Sequence, residues 1–180
     1  MAPVAIVVTG LPASGKSTIA RRLAADLDWP MFDKDDFLEA LFDRHPVNSL
    51  DDRRRLSRQS DDVFRQAACG AKSAVLVSHW QPANGVENTG TPTDFLKQAF
   101  GRIVEVHCAC TVETALQRFT ARERHPSHMD AERGEDAIRH QFEALAPGYP
   151  LGLGALISVD TDVMLDMAPL ISRVREDVSS

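Results

Sequence analysis

Residues 4–18 read VAIVVTGLPASGKST. The opening VAIVV (4–8) is an unbroken, largely β-branched run, the pattern of a strand covered on both faces. Directly after it Gly10, Gly15, Lys16 and Ser17 fall in the spacing G-x-x-x-x-G-K-[ST]. From Lys16 onward, Ile19, Ala20, Leu23, Ala24 and Leu27 recur at helical spacing. A strand, a glycine-rich turn and a helix in immediate succession form the context of a phosphate-binding loop. The glycines remove side-chain bulk, so the backbone of residues 12–18 (Pro12, Ala13 and Ser14 through Thr18) can converge on a β-phosphate. The helix N-terminus adds partial positive charge. In such a loop Lys16 reaches the β- and γ-phosphates, the Ser17 hydroxyl ligates Mg²⁺, and Thr18 turns toward the α-phosphate. With glycine near 7% of residues, the pattern arises by chance in roughly one chain of this length in 200. Its placement between strand and helix lowers those odds further, so the loop is read as binding a nucleoside triphosphate.

The alternation continues along the chain. WPMF (29–32) reads as a second strand and DDFLEALF (35–42) as a helix, followed by a longer helix over about 50–70. AVLV (74–77) is a third strand, QPANGVENTGTP (81–92) a turn-rich loop, and TDFLKQAF a short helix. RIVEVHCA (102–109) makes a fourth strand, and Thr111 caps a helix running to about Ala121. A charged, unpatterned stretch over 121–134 precedes a helix around 135–145, the strand ALISV (155–159) and a C-terminal helix over 162–177. Five strands separated by helices imply an α/β fold, a parallel sheet covered on both faces, in a single domain over 1–180.

Phosphate binding alone does not separate phosphoryl transfer from a switch or a motor. MFDKDDF (31–37) discriminates, because its carboxylates stand about 19 residues beyond Lys16, at the carboxyl end of the second strand. Ligands of doubly wound sheets sit outside those strand ends. A transferase needs a carboxylate there to orient an attacking hydroxyl and accept its proton. Helix N-capping is the competing use of Asp33, Asp35 and Asp36, with Asp33 or Asp36 the better candidates for it.

GLPASGKST followed by DKDDF resembles the P-loop kinase group of polynucleotide 5′-hydroxyl kinases, gluconate and shikimate kinases, chloramphenicol phosphotransferase and zeta-type toxins. The resemblance implies a P-loop NTPase fold with strand order 2-3-1-4-5, nucleoside-monophosphate-kinase-like with a lid. It matches Asp35 to the general base, and Asp33 with Asp35 to a pair that bridges metal and acceptor. It places a lid over about 121–134 and an acceptor-binding cap over about 36–72. Arg118 matches the arginine near adenine or phosphates, while Arg122 and Arg124 match lid arginines over the γ-phosphate, for which planar, multi-donor guanidinium groups are suited. Arg118 and Arg122 stand one helical turn apart, a spacing that lets both point the same way. VDTD (159–162) resembles the loop that contacts adenine. The sequence departs from many P-loop proteins at the end of the third strand. There Ser78, His79 and Trp80 stand where an acidic metal ligand is common. Ser78 could hold a metal-linked water and Asp33 could supply the charge. His79 and Trp80 are read either as an acceptor-stacking face or as a buried tryptophan with a satisfied histidine.

The remaining features narrow the class. A net charge of −6 over 180 residues argues against a nucleic-acid or membrane-surface binder. No run approaches the roughly 18 apolar residues of a membrane span. Cys69, Cys108 and Cys110 fit no disulfide framework and are read as core thiols in a reducing, cytoplasmic setting. His125 and His128 lack a second pair for a zinc site and are read as lid residues. DDRRRLSRQSDD (51–62) is read as a solvated, ion-paired helix face from which Arg54 or Arg58 could meet an anionic acceptor. The expectation is an enzyme that uses ATP and Mg²⁺ to phosphorylate a hydroxyl of a small molecule. A polynucleotide or nucleotide kinase and a non-catalytic ATP sensor are the alternatives.

Overall fold

The computed structural model describes residues 2–82, 85 and 90–179. Half of the turn-rich stretch 81–92 (residues 83, 84 and 86–89) lies outside the described residues. Five parallel strands, β1 (Val4–Thr9), β2 (Met31–Asp33), β3 (Ser73–Val77), β4 (Arg102–Ala109) and β5 (Ala155–Asp160), form one sheet in the order β2-β3-β1-β4-β5. Among the described residues seven α-helices connect and cover them: α1 (Lys16–Leu27), α2 (Lys34–Phe42), α3 (Leu50–Cys69), α4 (Leu96–Ala99), α5 (Val112–Ala121), α6 (Glu135–Leu145) and α7 (Met167–Ser179).

Alternate residues of each strand feed opposite faces. Ile6, Val8, Val75, Val77, Val104 and Val106 meet Ile19 and Leu23 of α1 and Leu170, Ile171 and Val174 of α7. Ala5, Val7, Ala74, Leu76 and Ile103 meet Phe64 and Ala68 of α3 and Leu96 of α4. Each aliphatic side chain buried this way contributes roughly 1.5–3 kcal/mol, which is why the central strands tolerate no polar residue without a partner. Glu105 shows what that demands. It is fully buried, and its carboxylate accepts hydrogen bonds from the Thr9 hydroxyl (2.9 Å) and from the backbone N–H groups of Leu151 (2.6 Å) and Leu153 (3.0 Å).

Register fixes the functional edge. Asp33 is level with Val77, and Val77 with Val8, so β2, β3 and β1 end together beneath the glycine-rich turn. The chain leaves β1 toward one edge of the sheet and β4 toward the other, the kind of divergence that opens a crevice at the carboxyl ends.

Three local expectations change. β2 begins two residues late, because Asp28 turns into the left-handed region (φ 55°) and the Trp29 N–H closes back on the Ala24 carbonyl. α7 begins at Met167 rather than 162, since Asp160, Thr161 and Asp162 are held in a turn: the Asp162 N–H donates to Asp160 Oδ1 and Thr161 bonds the Ala109 carbonyl. The cysteines are not all core thiols. Cys108 is buried, its thiol pushed up to about 12 by that burial, but Cys110 is half-buried and Cys69 is exposed at the end of α3. Among the described residues no helix is long and apolar enough to cross a membrane.

Candidate active site

The turn between β1 and α1 carries three residues at positive φ: Gly10 (135°), Ala13 (61°) and Gly15 (90°). At Gly10 a Cβ would sit 2.5 Å from the Cys108 carbonyl oxygen and 2.8 Å from Ser14 Oγ, so close approach as well as conformation demands glycine. At Gly15 a Cβ would meet nothing within 4 Å, and the dihedral alone selects the residue. No side chain caps α1 and no acid occupies its first turn, which leaves its positive end open to an anion. Ser14 Oγ is buried without a partner inside this cradle. Lys16 folds back, its Nζ donating to the carbonyls of Gly10 (3.0 Å) and Leu11 (2.6 Å). Burial lowers its affinity for a proton, against the pull of Cys108, Asp33 and Asp35.

Ser17 Oγ donates to Asp33 Oδ2 at 2.6 Å, while Asp33 Oδ1 accepts the Asp35 N–H at 3.1 Å. Asp33 therefore caps α2 and faces the loop at once. Burial pushes its carboxyl up, and the Ser17 hydrogen bond resists that. A hydroxyl and a carboxylate in contact are an all-oxygen donor pair, which fits a hard divalent ion such as Mg²⁺. Among the described residues no cluster of three or more His, Cys, Asp or Glu could hold a metal, so ligand and water oxygens would complete the shell. Ser78 is buried and bonded elsewhere: it donates to Thr91 Oγ1 (2.5 Å), whose own proton goes to Asp61 (2.6 Å).

Asp35 stands at the start of α2, its side chain 45% exposed and open to a second molecule. Burial raises its carboxyl, but Arg124 outweighs that with help from His128, Lys34 and Arg122, and the carboxyl lies below the usual range. Arg124 Nη2 meets Asp35 at 2.6 Å and its Nη1 meets Asp130 at 3.0 Å. Two turns of 3₁₀ helix (Pro126–His128 and Asp130–Glu132) carry the rest of this segment over α2. His128 Nε2 lies 2.9 Å from Glu39, and His125 Nε2 3.5 Å from Asp43. Asp35, Glu39 and Asp43 are four residues apart, one face of α2, and each takes one basic side chain from the segment above. The two histidines are thus contacts of that segment.

Arg122 terminates α5 in an extended conformation (φ −84°, ψ 143°), so helical spacing no longer relates it to Arg118. Its guanidinium carbon lies 4.4 Å above the Phe119 ring and its Nε is buried without a partner; burial, then Arg124, pushes it down to about 10. Arg118 points elsewhere, donating to the Thr161 carbonyl (2.6 Å) at the ends of β4 and β5. The structure therefore brings Lys16, Ser17, Asp33, Asp35, Arg122 and Arg124 together, and sets Arg118 apart beside VDTD. Trp80 is fully buried, its indole N–H donating to the Val8 carbonyl (2.9 Å), so it offers no stacking face. His79 is separate: its Nδ1 has no partner, and burial together with Lys16 and Lys34 pushes the ring down to about 4.

Two features escaped the sequence reading. Lys34 is buried and joins α2 to α3 through Ser57 (2.7 Å) and Asp61 (3.6 Å). On α3 the residue turned inward is Arg53, while Arg54 is exposed and paired with Asp51 at 3.2 Å, and Arg58 is exposed. The signal was present: Arg53 lies on the stripe of Leu56, Ser60 and Phe64, the buried positions of α3.

A family model described as an AAA domain matches residues 6–146. The chain belongs to this AAA domain family. No curated protein sequence matches it. Among solved structures, this AAA domain superposes on a provisionally assigned kinase from Chloroflexus aurantiacus J-10-fl at 24% identity (TM-score 0.77; 98% of this chain, 96% of that one). It also matches a shikimate kinase from Bacteroides thetaiotaomicron at 16% identity (TM-score 0.62; 98% and 99%). A gluconokinase from Sinorhizobium meliloti 1021 matches at 17% (TM-score 0.60; 98% and 96%). The fold of this AAA domain is thus the α/β fold of the P-loop kinases.

Proposed function

We propose that this AAA domain is a small-molecule kinase that transfers the γ-phosphoryl group of ATP to a hydroxyl. The observation that carries the proposal is Asp35: a carboxylate held ionised, open to a second molecule, and set at the end of β2 beside the phosphate loop. A sensor that merely binds nucleotide needs no base aimed at an acceptor.

The residues divide the task as follows. The loop backbone and Lys16 hold the β- and γ-phosphates. Ser17 and Asp33 would hold Mg²⁺, which would supply charge neutralisation to the phosphates. Asp35 accepts the hydroxyl proton as the acceptor oxygen bonds to the γ-phosphorus and the bond to the β-phosphate oxygen breaks, releasing ADP. Arg122 and Arg124 meet charge developing on the transferred group. Segment 121–134 serves as a lid that excludes water, residues 36–72 supply the acceptor cap, and Arg118 with VDTD flanks the base of the nucleotide. Little covalent chemistry falls to the protein; positioning and electrostatics carry the rate.

The test is ADP release by the wild type and Asp35→Asn, each with ATP and a panel of sugars, nucleosides, aminoglycosides and 5′-hydroxyl oligonucleotides. The expected result is stimulation by one small-molecule class. Asp35→Asn should lower kcat by on the order of 10²–10⁴ while ATP still binds. Normal turnover by Asp35→Asn with a working acceptor would remove Asp35 from the role of base.

A further inference from the structure

We propose that Lys34 is a positioning residue: by tying the end of β2 to α3 it fixes the first turn of α2, and with it the reach of Asp35 toward the acceptor. The inference rests on the kinase reading of the site and adds to it a residue that acts through another.

The sheet alone holds β2 poorly. It is an edge strand of three residues, Met31–Asp33, and β3 is its one neighbour among the described residues. Its side chains alternate between the two faces. Met31 packs on the core beneath α1 and α7, and Phe32 on the core beneath α3. The alternation continues as the chain enters α2. Asp33 turns to the α1 side, where it accepts from Ser17 (2.6 Å). Lys34 turns to the α3 side, where its Nζ donates to Ser57 Oγ (2.7 Å) and lies 3.6 Å from Asp61. The backbone is thus gripped on both faces just before Asp35.

The α3 end of this grip is itself fixed. Asp61 accepts the Thr91 hydroxyl (2.6 Å), Thr91 takes the Ser78 hydroxyl (2.5 Å), and Ser78 follows Val77, the residue level with Asp33. These links close a ring from the end of β2 through α3 to the end of β3. Lys34 is buried, and a buried ion pair is seldom more stable than packed apolar side chains of the same volume. What the ring contributes is a single geometry. A base must be held within about 0.5 Å of its productive position, and a 1 Å error costs about 10²-fold. Asp35 depends on that support. Its side chain is held by Arg124, a residue also assigned to the transferred group, whereas nothing in the proposed reaction competes for Lys34.

The test is Lys34→Met, with two readouts. Amide hydrogen exchange is followed by NMR with neither nucleotide nor acceptor present. Exchange at amides 35–38, the first turn of α2, should quicken about tenfold or more, while the amides of β1 and β4 keep their wild-type rates. Turnover is then measured with ATP and the acceptor that works for the wild type. Here kcat should fall about 10–100-fold, with KM for ATP within about threefold of wild type. In an Asp35→Asn background Lys34→Met should change the residual rate by less than about threefold, because the group it positions is gone. Asp61→Asn, which keeps an oxygen for Thr91, should reproduce the pattern. Lys34→Met combined with Asp61→Asn leaves no unpaired charge and serves if the single variant does not fold. Exchange that quickens uniformly, or not at all, overturns the inference and leaves the kinase intact. A loss of kcat of equal size in both backgrounds does the same, as does local quickening with wild-type kcat. Local quickening at 35–38, in a protein whose wild type phosphorylates no acceptor, supports the hold of Lys34 on Asp35 and removes the kinase reading.

Discussion

Replacing Arg124 with Gln should separate the two uses of that side chain. Arg124 is 17% exposed and touches two carboxylates, Asp35 at 2.6 Å and Asp130 at 3.0 Å. At an effective dielectric near 20, unit charges 4 Å apart attract by about 4 kcal/mol, but desolvation consumes most of it. Asp35 is 45% exposed, so solvent screens that pair further. The net loss of stability at pH 7 is therefore about 1–3 kcal/mol, below the 3–5 kcal/mol typical of breaking a fully buried pair. Its pH dependence has a definite sign. Arg124 holds the folded Asp35 carboxyl below its ordinary 3.8, so the stabilisation is present above that pH and is lost as pH falls through the folded value. Urea unfolding of wild type and Arg124→Gln should give curves that converge as pH drops from 7 toward 3. In turnover, the acid limb of the kcat/KM profile should move to higher pH, because burial of Asp35 is less fully opposed. A stability difference that grows toward acid, or an acid limb that stays in place, would refute the coupling of Arg124 to Asp35.

Gly10→Ala places a Cβ 2.5 Å from a backbone carbonyl at φ 135°; it should cost about 3 kcal/mol or more and abolish nucleotide-induced thermal stabilisation. Wild-type stabilisation in the variant would show that the turn can relax. Glu105→Gln can keep the bonds from Thr9 and Leu151 only by turning its amide donor against the Leu153 N–H. A loss of about 2–4 kcal/mol in urea denaturation is expected, and a change under 0.5 kcal/mol would contradict the clamp. His79, pushed down to about 4 from 6.5, is neutral in the fold. Its contribution is complete above 6.5 and is lost between 6.5 and about 4, at most on the order of 3 kcal/mol. His79→Gln should flatten that part of the stability–pH curve; an unchanged curve would assign the loss to other groups.

What the sequence disclosed, and what it hid, follows from how each residue is positioned. The phosphate loop was legible because its roles are local: dihedrals at Gly10 and Gly15, and a helix opening at Lys16, are set within a few residues. Thr111 and the end of α5 at Ala121 were legible for the same reason. Residues positioned by helix phase were legible in part: the solvated, ion-paired face of α3 was read, with Arg54 paired to Asp51 and Arg55 to Asp52, but the inward arginine was not. Arg53 and Arg54 differ by 100° around α3, and the charged run around them hid the stripe through Leu56, Ser60 and Phe64 that assigns Arg53 inward. Residues positioned by tertiary return were not legible at all. Nothing near Arg124 announces that it meets Asp35 from 89 positions away, nor anything near Glu105 that Leu151 and Leu153 return to it. Segment 122–134 has no period, so its fold is dictated by what it lands on, the Asp35, Glu39 and Asp43 face of α2. That face is a spacing of four in the sequence. It becomes meaningful only when three basic side chains are found on it, and those contacts place an acidic candidate base and a cationic segment within reach of each other.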